Sequence, residues 1–222
     1  MTPAELFSIC ARNNLLLGEP KKQRLVLYSS LLSHWNSKIN LISRKDETHI
    51  LDRHLLHSLA LAMPSICDYD FRNKRALDIG TGGGLPGIPL KIVIPSLDMT
   101  LVDSTQKKIA AVSEMVAALG LTGVRAIAAR AEELAKSPEH THAYDVIVSR
   151  AVAPLEDLAK WSRGLLKRGG VLLSLKGGDL SEEIRRAKSV KGVASIEVRP
   201  LDLISYSDFA REEKKLVRVK LD

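Results

Sequence analysis

The sequence predicts an α/β fold: a mostly parallel, seven-stranded sheet with helices on both faces, preceded by an N-terminal helical extension. Three observations carry this expectation. From Lys74 onward, short β-rich runs alternate with helical segments, the pattern that builds a parallel sheet between two helix layers. A glycine-rich stretch, "DIGTGGGLPGIPL" (Asp78 to Leu90), directly follows the first of those runs and leads into a helix-like one, which makes the second part Rossmann-like. Residues 1 to about 65 read as helical throughout. The expected division is therefore a helical extension over 1–65 packed on a Rossmann-like domain over 66–222.

In the extension, Thr2 with Glu5 makes a capping box and Pro3 takes the first helical position, so a helix starts there, with Gly18 as its end. A second helix runs from about Pro20 through Trp35. A third covers residues 46–63, where Leu51, Leu55 and Leu59 recur at four-residue spacing and Pro64 stops the pattern. Strands are expected at "RALDI" (75–79), "DMTLVD" (98–103), "VRAIAA" (124–129), "YDVIVS" (144–149) and "GVLLSLK" (170–176). The tail segments "VASIEVRPL" and "REEKKLVRVKL" add two more strands at one edge.

A hydrophobic fraction of 45% over 222 residues is enough for a sizeable core, and with aromatics at only 4% that core must be mainly aliphatic. The net charge of +7 suits a phosphate-rich partner, though it is equally compatible with a solvated basic surface. Cys10 and Cys67 share no CxxC or metal-ligand spacing, so reduced thiols in a cytoplasmic protein are expected. The start of the chain lacks the basic and apolar regions of a secretory leader, and no uninterrupted apolar run approaches the ~18 residues of a membrane span.

Two patterns overlap in the glycine run. Gly82, Gly84 and Gly87 satisfy the dinucleotide fingerprint GxGxxG, whereas Asp78, Gly80, Gly82 and Gly84 satisfy an acidic D-x-G-x-G-x-G variant suited to S-adenosyl-L-methionine. Asp78 favours the second, because a carboxylate can pair with the ammonium of a methionine moiety but repels a pyrophosphate. Asp103, followed by Ser104, ends the second strand where an acid can accept from both ribose hydroxyls, a position nicotinamide enzymes also use. After the third strand, Glu132 is placed to meet an adenine amino group.

Further blocks are "SHWNSKINLIS" (Ser33 to Ser43), "DRHLLHS" (Asp52 to Ser58), "VDSTQKK" (Val102 to Lys108), "RAEE" (Arg130 to Glu133), "SRAVAPL" (Ser149 to Leu155) and "LKGG" (Leu175 to Gly178). With the glycine run, they resemble the bacterial glucose-inhibited division protein B family, small-subunit ribosomal RNA methyltransferases that modify guanine N7. The resemblance runs in order over nearly the whole chain and departs at His57, where an acid is usual. It implies a class I S-adenosylmethionine-dependent methyltransferase fold and a cofactor site that includes Gly80, Leu85, Ala131, Glu132 and Arg150.

The motifs that are missing narrow the chemistry. Methylation of exocyclic amines needs an Asn/Asp-Pro-Pro-aromatic motif after the fourth strand, where this chain has "SRAVAP"; pyrimidine C5 methylation needs a nucleophilic cysteine, and neither Cys10 nor Cys67 follows a strand. Guanine N7 attacks the methyl with its lone pair and loses no proton, so no general base is required. Arg150, just past the fourth strand, and Lys176, ending the fifth, are the expected catalytic-site residues: Arg150 toward the cofactor carboxylate or guanine O6, Lys176 toward phosphate or guanine. Asn36, Lys38, Asn40, Arg44, Lys45, Arg53 and His54 are candidates to meet RNA from the extension. Trp35 is a core anchor or a stacking platform, and Lys107, Lys108, Arg185 and Arg186 read as solvated helix faces. No metal site is expected, since His54 and His57 lack a third ligand. The expected partner is 16S rRNA or the small ribosomal subunit, with the chain a monomer. The rival readings are a nicotinamide-dependent oxidoreductase, which lacks a Tyr-x-x-x-Lys pair here, and a non-catalytic ribosome-assembly factor.

Overall fold

A computed structural model describes the whole chain, residues 1–222. Helix α1 (Pro3–Arg12) opens with the predicted capping box: Glu5 N–H donates to the Thr2 hydroxyl at 3.3 Å and Thr2 N–H to the Glu5 carboxylate at 2.6 Å. It ends at Arg12 with Asn13 as its cap, six residues before Gly18, which instead caps the start of helix α2 (Glu19–Asn36). The early stop has a visible cause. The fully buried Asn13 side chain donates to Ile9 and Ile204 carbonyls and accepts from Ile204 N–H, tying the end of α1 to a C-terminal loop.

The predicted third helix is a succession of tight and wide turns: a 3₁₀ segment over Arg44–His49, a π-helical one over Ile50–Leu56, one α-turn α3 (His57–Leu59) and a last 3₁₀ turn over Ala60–Ala62. The π-turn shifts which side chains face inward, so Ile50 and His54 are buried while Leu51 is only half-buried, contrary to a regular four-residue stripe.

The remaining elements alternate as expected: β1 (Arg75–Ile79), α4 (Gly87–Val93), β2 (Asp98–Asp103), α5 (Gln106–Ala118), β3 (Val124–Ala128), α6 (Ala131–Leu134), β4 (Tyr144–Arg150), α7 (Leu155–Arg163), β5 (Leu166–Lys176), α8 (Ser181–Lys188), β6 (Val193–Pro200), α9 (Asp208–Arg211) and β7 (Lys215–Leu221). The sheet order is β3-β2-β1-β4-β5-β7-β6, parallel except for β7, which runs antiparallel between β5 and β6. The order reverses direction between β1 and β4, and in open parallel sheets the crevice beyond the strand ends at such a switch is where ligands bind.

Side-chain alternation along the strands decides which layer each residue meets. Ala76, Met99, Leu101, Val146, Val148, Leu173 and Leu175 join α1, α2, α4, α5 and the 44–63 turns in one cluster of 40 buried residues. Leu77, Ile79, Val102, Ile147, Leu172, Val217 and Val219 join α6, α7 and α8 in another of 17. The extension therefore shares its core with one face of the sheet. No helix is long and apolar enough to cross a membrane.

Candidate active site

Beyond the carboxyl ends of β1, β2, β4 and β5 lies a cavity of about 850 Å³. Its walls include Gly80, Gly82, Leu85, Asp103, Ser104, Arg150 and Lys176 from the expected set, and Arg53 and His54 from the extension. The glycine loop is shaped from beneath. Asp78, fully buried, accepts from the Thr81 hydroxyl at 2.6 Å and from Gly87 N–H at 2.9 Å, so it lies under the loop instead of facing a methionine ammonium as anticipated. That contact also takes the first amide of α4, one of the donors a pyrophosphate would use, and so weighs against the nicotinamide reading. Helix α2 buttresses the same loop: the buried Tyr28 hydroxyl donates to Gly83 O at 2.8 Å, and a Cβ at Gly83 would overlap Leu32.

Gly82 has φ +55°, and a Cβ there would meet only two backbone oxygens at ordinary contact distance, Leu41 O at 3.5 Å and Gly80 O at 4.0 Å, so its outward side is open. Asp103 accepts from Gly82 N–H at 3.1 Å and from Thr105 N–H at 2.9 Å, which locks its carboxylate against the loop at the end of β2. An open glycine cradle beside a fixed carboxylate fits an adenosine-bearing cofactor such as S-adenosylmethionine. Gly84 packs against Ile88 below the loop, and Ala131 and Glu132 begin α6; none of the three is among the cavity-lining residues.

Arg150 and Lys176 end neighbouring strands but face opposite layers, because Arg150 continues the Val146–Val148 row and Lys176 the Leu172 row. The Arg150 guanidinium has no carboxylate within ion-pair distance; its Nε is shielded from solvent and unbonded, and Nη1 reaches only Arg53 O at 3.5 Å. Burial lowers its pKa, opposed by Tyr28, Asp78 and Asp46, yet an arginine remains a cation there. Next to it Ala151 adopts φ +53°, a strained conformation for a residue with a Cβ, and Val152 folds back over Gly80. Lys176 is instead committed internally: Nζ donates to Ala153 O at 2.6 Å and pairs with Glu183 of α8, which itself accepts from Leu155 N–H. Its expected free ammonium is thus already neutralised.

The extension residues divide likewise. Asn36, a candidate RNA contact, is 4% exposed and structural: its Oδ1 accepts from Leu41 and Ile42 N–H, both at 2.9 Å, and Nδ2 donates to Glu47 at 2.8 Å. Asn36→Ala should cost about 2 kcal/mol or more by orphaning two buried amides, as read from urea unfolding; an unchanged midpoint would count against this. Lys38 lies over the half-buried Trp35 ring at 4.8 Å, and Asn40 and Arg44 flank an open groove at the rim of the cavity. Arg53 pairs with Asp46 at 2.7 Å and approaches Glu212 at 3.7 Å. Asp46, Glu212 and Lys214 also line the cavity and carried no motif signal, and His57, Thr105 and Lys108 line it from within the family-like blocks, Lys108 having read as a solvated helix face.

His54 and His57 are each 5% exposed and held neutral: burial, then the nearby Arg150 charge, pushes His54 down to about 3 and His57 well below its usual value. Burial, only partly offset by Thr81 and Gly87, pushes Asp78 up to about 7. Unfolding therefore takes up two histidine protons below pH 6.5 and releases one from Asp78 between about 4 and 7. The net uptake rises to about one proton near pH 5, so stability falls as pH drops from about 6 toward 4.5, by up to about 1.4 kcal/mol per unit. Urea midpoints at pH 7 and 5 test this; a higher midpoint at pH 5 would refute it.

Residues 21–208 match the family model described as rRNA small subunit methyltransferase G. The chain belongs to this family. Among members of the methyltransferase G family, the protein of Chlorobium luteolum is 45% identical over 90% of this chain and 83% of its own length, and that of Chlorobaculum tepidum 42% over 96% and 95%. Solved structures share the fold at lower identity. TrmN from Thermus thermophilus has a TM-score of 0.57 at 19% identity, covering 78% of this chain and 53% of that one. A 16S rRNA N2 methyltransferase of T. Thermophilus, crystallised with AdoMet and guanosine, scores 0.57 at 16%, covering 77% and 43%.

Proposed function

We propose that the chain methylates N7 of one guanine in 16S ribosomal RNA by aligning the reactants, without a general base. As a methyltransferase G family member it is an S-adenosylmethionine-dependent methyltransferase of small-subunit rRNA. The single observation that carries the finer reading is the half-buried Arg150, which lines the cavity with its Nε shielded from solvent and no carboxylate partner. The residues fit the cofactor: Gly80, Gly82 and Leu85 would cradle it, with Asp103 and Ser104 on its ribose. When bound, it supplies an electrophilic sulfonium methyl that a lone pair on guanine N7 can take without losing a proton.

The chain's own work is positioning and exclusion of water. Arg150 would donate to guanine O6 or to the cofactor carboxylate, fixing the angle of approach. His54 and His57 are too weakly basic to take a proton at neutral pH, and Asp78, though pushed up to about 7, is turned under the loop. Substrate capture would use the exposed cations at the rim, Lys38, Arg44 and Lys45.

Aniline cleavage and primer extension of small-subunit rRNA from cells with and without the protein test this directly. One protein-dependent N7-methylguanine is expected, and none would refute the reading. Binding to the substrate particle should weaken steeply with added salt, since each phosphate neutralised contributes to the logarithmic slope. A slope near zero would remove the rim cations from the account.

A further inference from the structure

The sheet order divides the cavity. Asp103 at the end of β2 and the glycine loop after β1 build one half; Arg150 after β4 stands at the seam; Gly177 after β5 and Glu212 and Lys214 before β7 line the other half with Asp46, Arg53, His54 and His57. With the cofactor in the first half, the acceptor base enters the second. Guanine presents O6 and N7 on one edge and two donors, N1–H and the 2-amino group, on the neighbouring edge, so its recognition calls for a carboxylate beyond O6.

The second half contains three carboxylates, and two of them are paired with lysines, Glu183 with Lys176 and Glu212 with Lys214. Glu183 holds Lys176 and Leu155 N–H, and Glu212 is shared between Lys214 at 3.2 Å and Arg53 at 3.7 Å. Asp46 differs. Its Oδ1 accepts from Arg53 at 2.7 Å, but Oδ2 accepts no hydrogen bond, and His54 Nε2 stands 3.8 Å away. His54 is 5% exposed, and both its ring nitrogens are unbonded on the cavity wall, an arrangement that buried polar groups rarely leave without a ligand.

We propose that Asp46 selects the acceptor base, its carboxylate accepting from N1–H and the 2-amino group of guanine while O6 meets Arg150. This rests on the guanine-N7 reading above. Partial burial works against ionisation of Asp46, yet the hydrogen bond from Arg53 holds its carboxyl below the usual range, so the acceptor is charged at neutral pH. Adenine would set a lone pair at N1 against that charge and be rejected. His54 is a positioning residue: a shift of under an ångström would let Nε2–H donate to Oδ2 and fix the carboxylate as the base enters.

The test uses small subunits reconstituted with 16S rRNA carrying guanosine or inosine at the mapped position, since inosine keeps N7, O6 and N1–H but lacks the 2-amino group. Wild-type protein should methylate guanosine about tenfold faster than inosine in single turnover, the scale of a lost specific base contact. Asp46→Asn should lose about tenfold or more on guanosine and nearly all of the preference, with cofactor affinity by calorimetry within about twofold of wild type. Asp46→Glu should be slower but keep the preference. Asp46→Asn retaining the preference, or wild type showing none, overturns the assignment; the wild-type comparison decides even if Asp46→Asn does not fold. Failure of the wild type to methylate the guanosine substrate overturns the reading beneath it, an outcome distinct from lost preference.

Discussion

Arg150→Ala lowers methyl transfer by about a hundredfold or more, the scale set by misplacing one reactant against another, while S-adenosylmethionine binding weakens by much less. The expectation follows from the position of the half-buried guanidinium at the seam of the cavity, with its Nε shielded from solvent and no carboxylate partner, and with the glycine loop built independently of it. Arg150→Lys keeps the charge but loses the planar fork, so it recovers only a small part of the rate. The pH profile separates alignment from base catalysis: single-turnover rates in the wild type and in both variants should show no ionisation of a catalytic base near neutrality. Wild-type turnover in Arg150→Ala would remove its role, and a rate governed by such a base would remove the lone-pair mechanism.

Gly82→Val abolishes S-adenosylmethionine binding with the fold retained. The glycine has φ +55° and an outward face bounded only by the backbone oxygens of Leu41 and Gly80, so a branched side chain would project into the space the cofactor would occupy. Left-handed backbone at a β-branched residue adds about 1–3 kcal/mol of strain, and Gly82→Ala serves as the milder comparison, with affinity between wild type and valine. Calorimetry on variants with native circular dichroism measures both. Undiminished affinity in folded Gly82→Val would place the cofactor elsewhere.

The sequence by itself determined the seven strands, the helices between them, the capping box of α1 and the glycine turn after β1, because each is encoded by short-range signals: alternation, capping residues and glycines where a tight loop needs them. It also named Arg150 and Asp103 as strand-end residues, since an α/β sheet presents its ligand-facing positions there. Tertiary structure decided the direction of each side chain and its partners. Asp78 turned under its own loop because Gly87 N–H and Thr81 needed an acceptor there; Lys176 turned toward α8 because strand parity put it on the opposite layer from Arg150; Asn36 was drawn inward by two amides of a loop that follows it. The π-turn over 50–56 displaced the apolar stripe and brought Arg53, His54 and His57 to the cavity, and Asp46 joined them with no motif to announce it. Such pairings depend on residues up to 193 positions apart, as where Arg12 meets Ser205, and periodicity within a window of a dozen residues carries no information about contacts of that range.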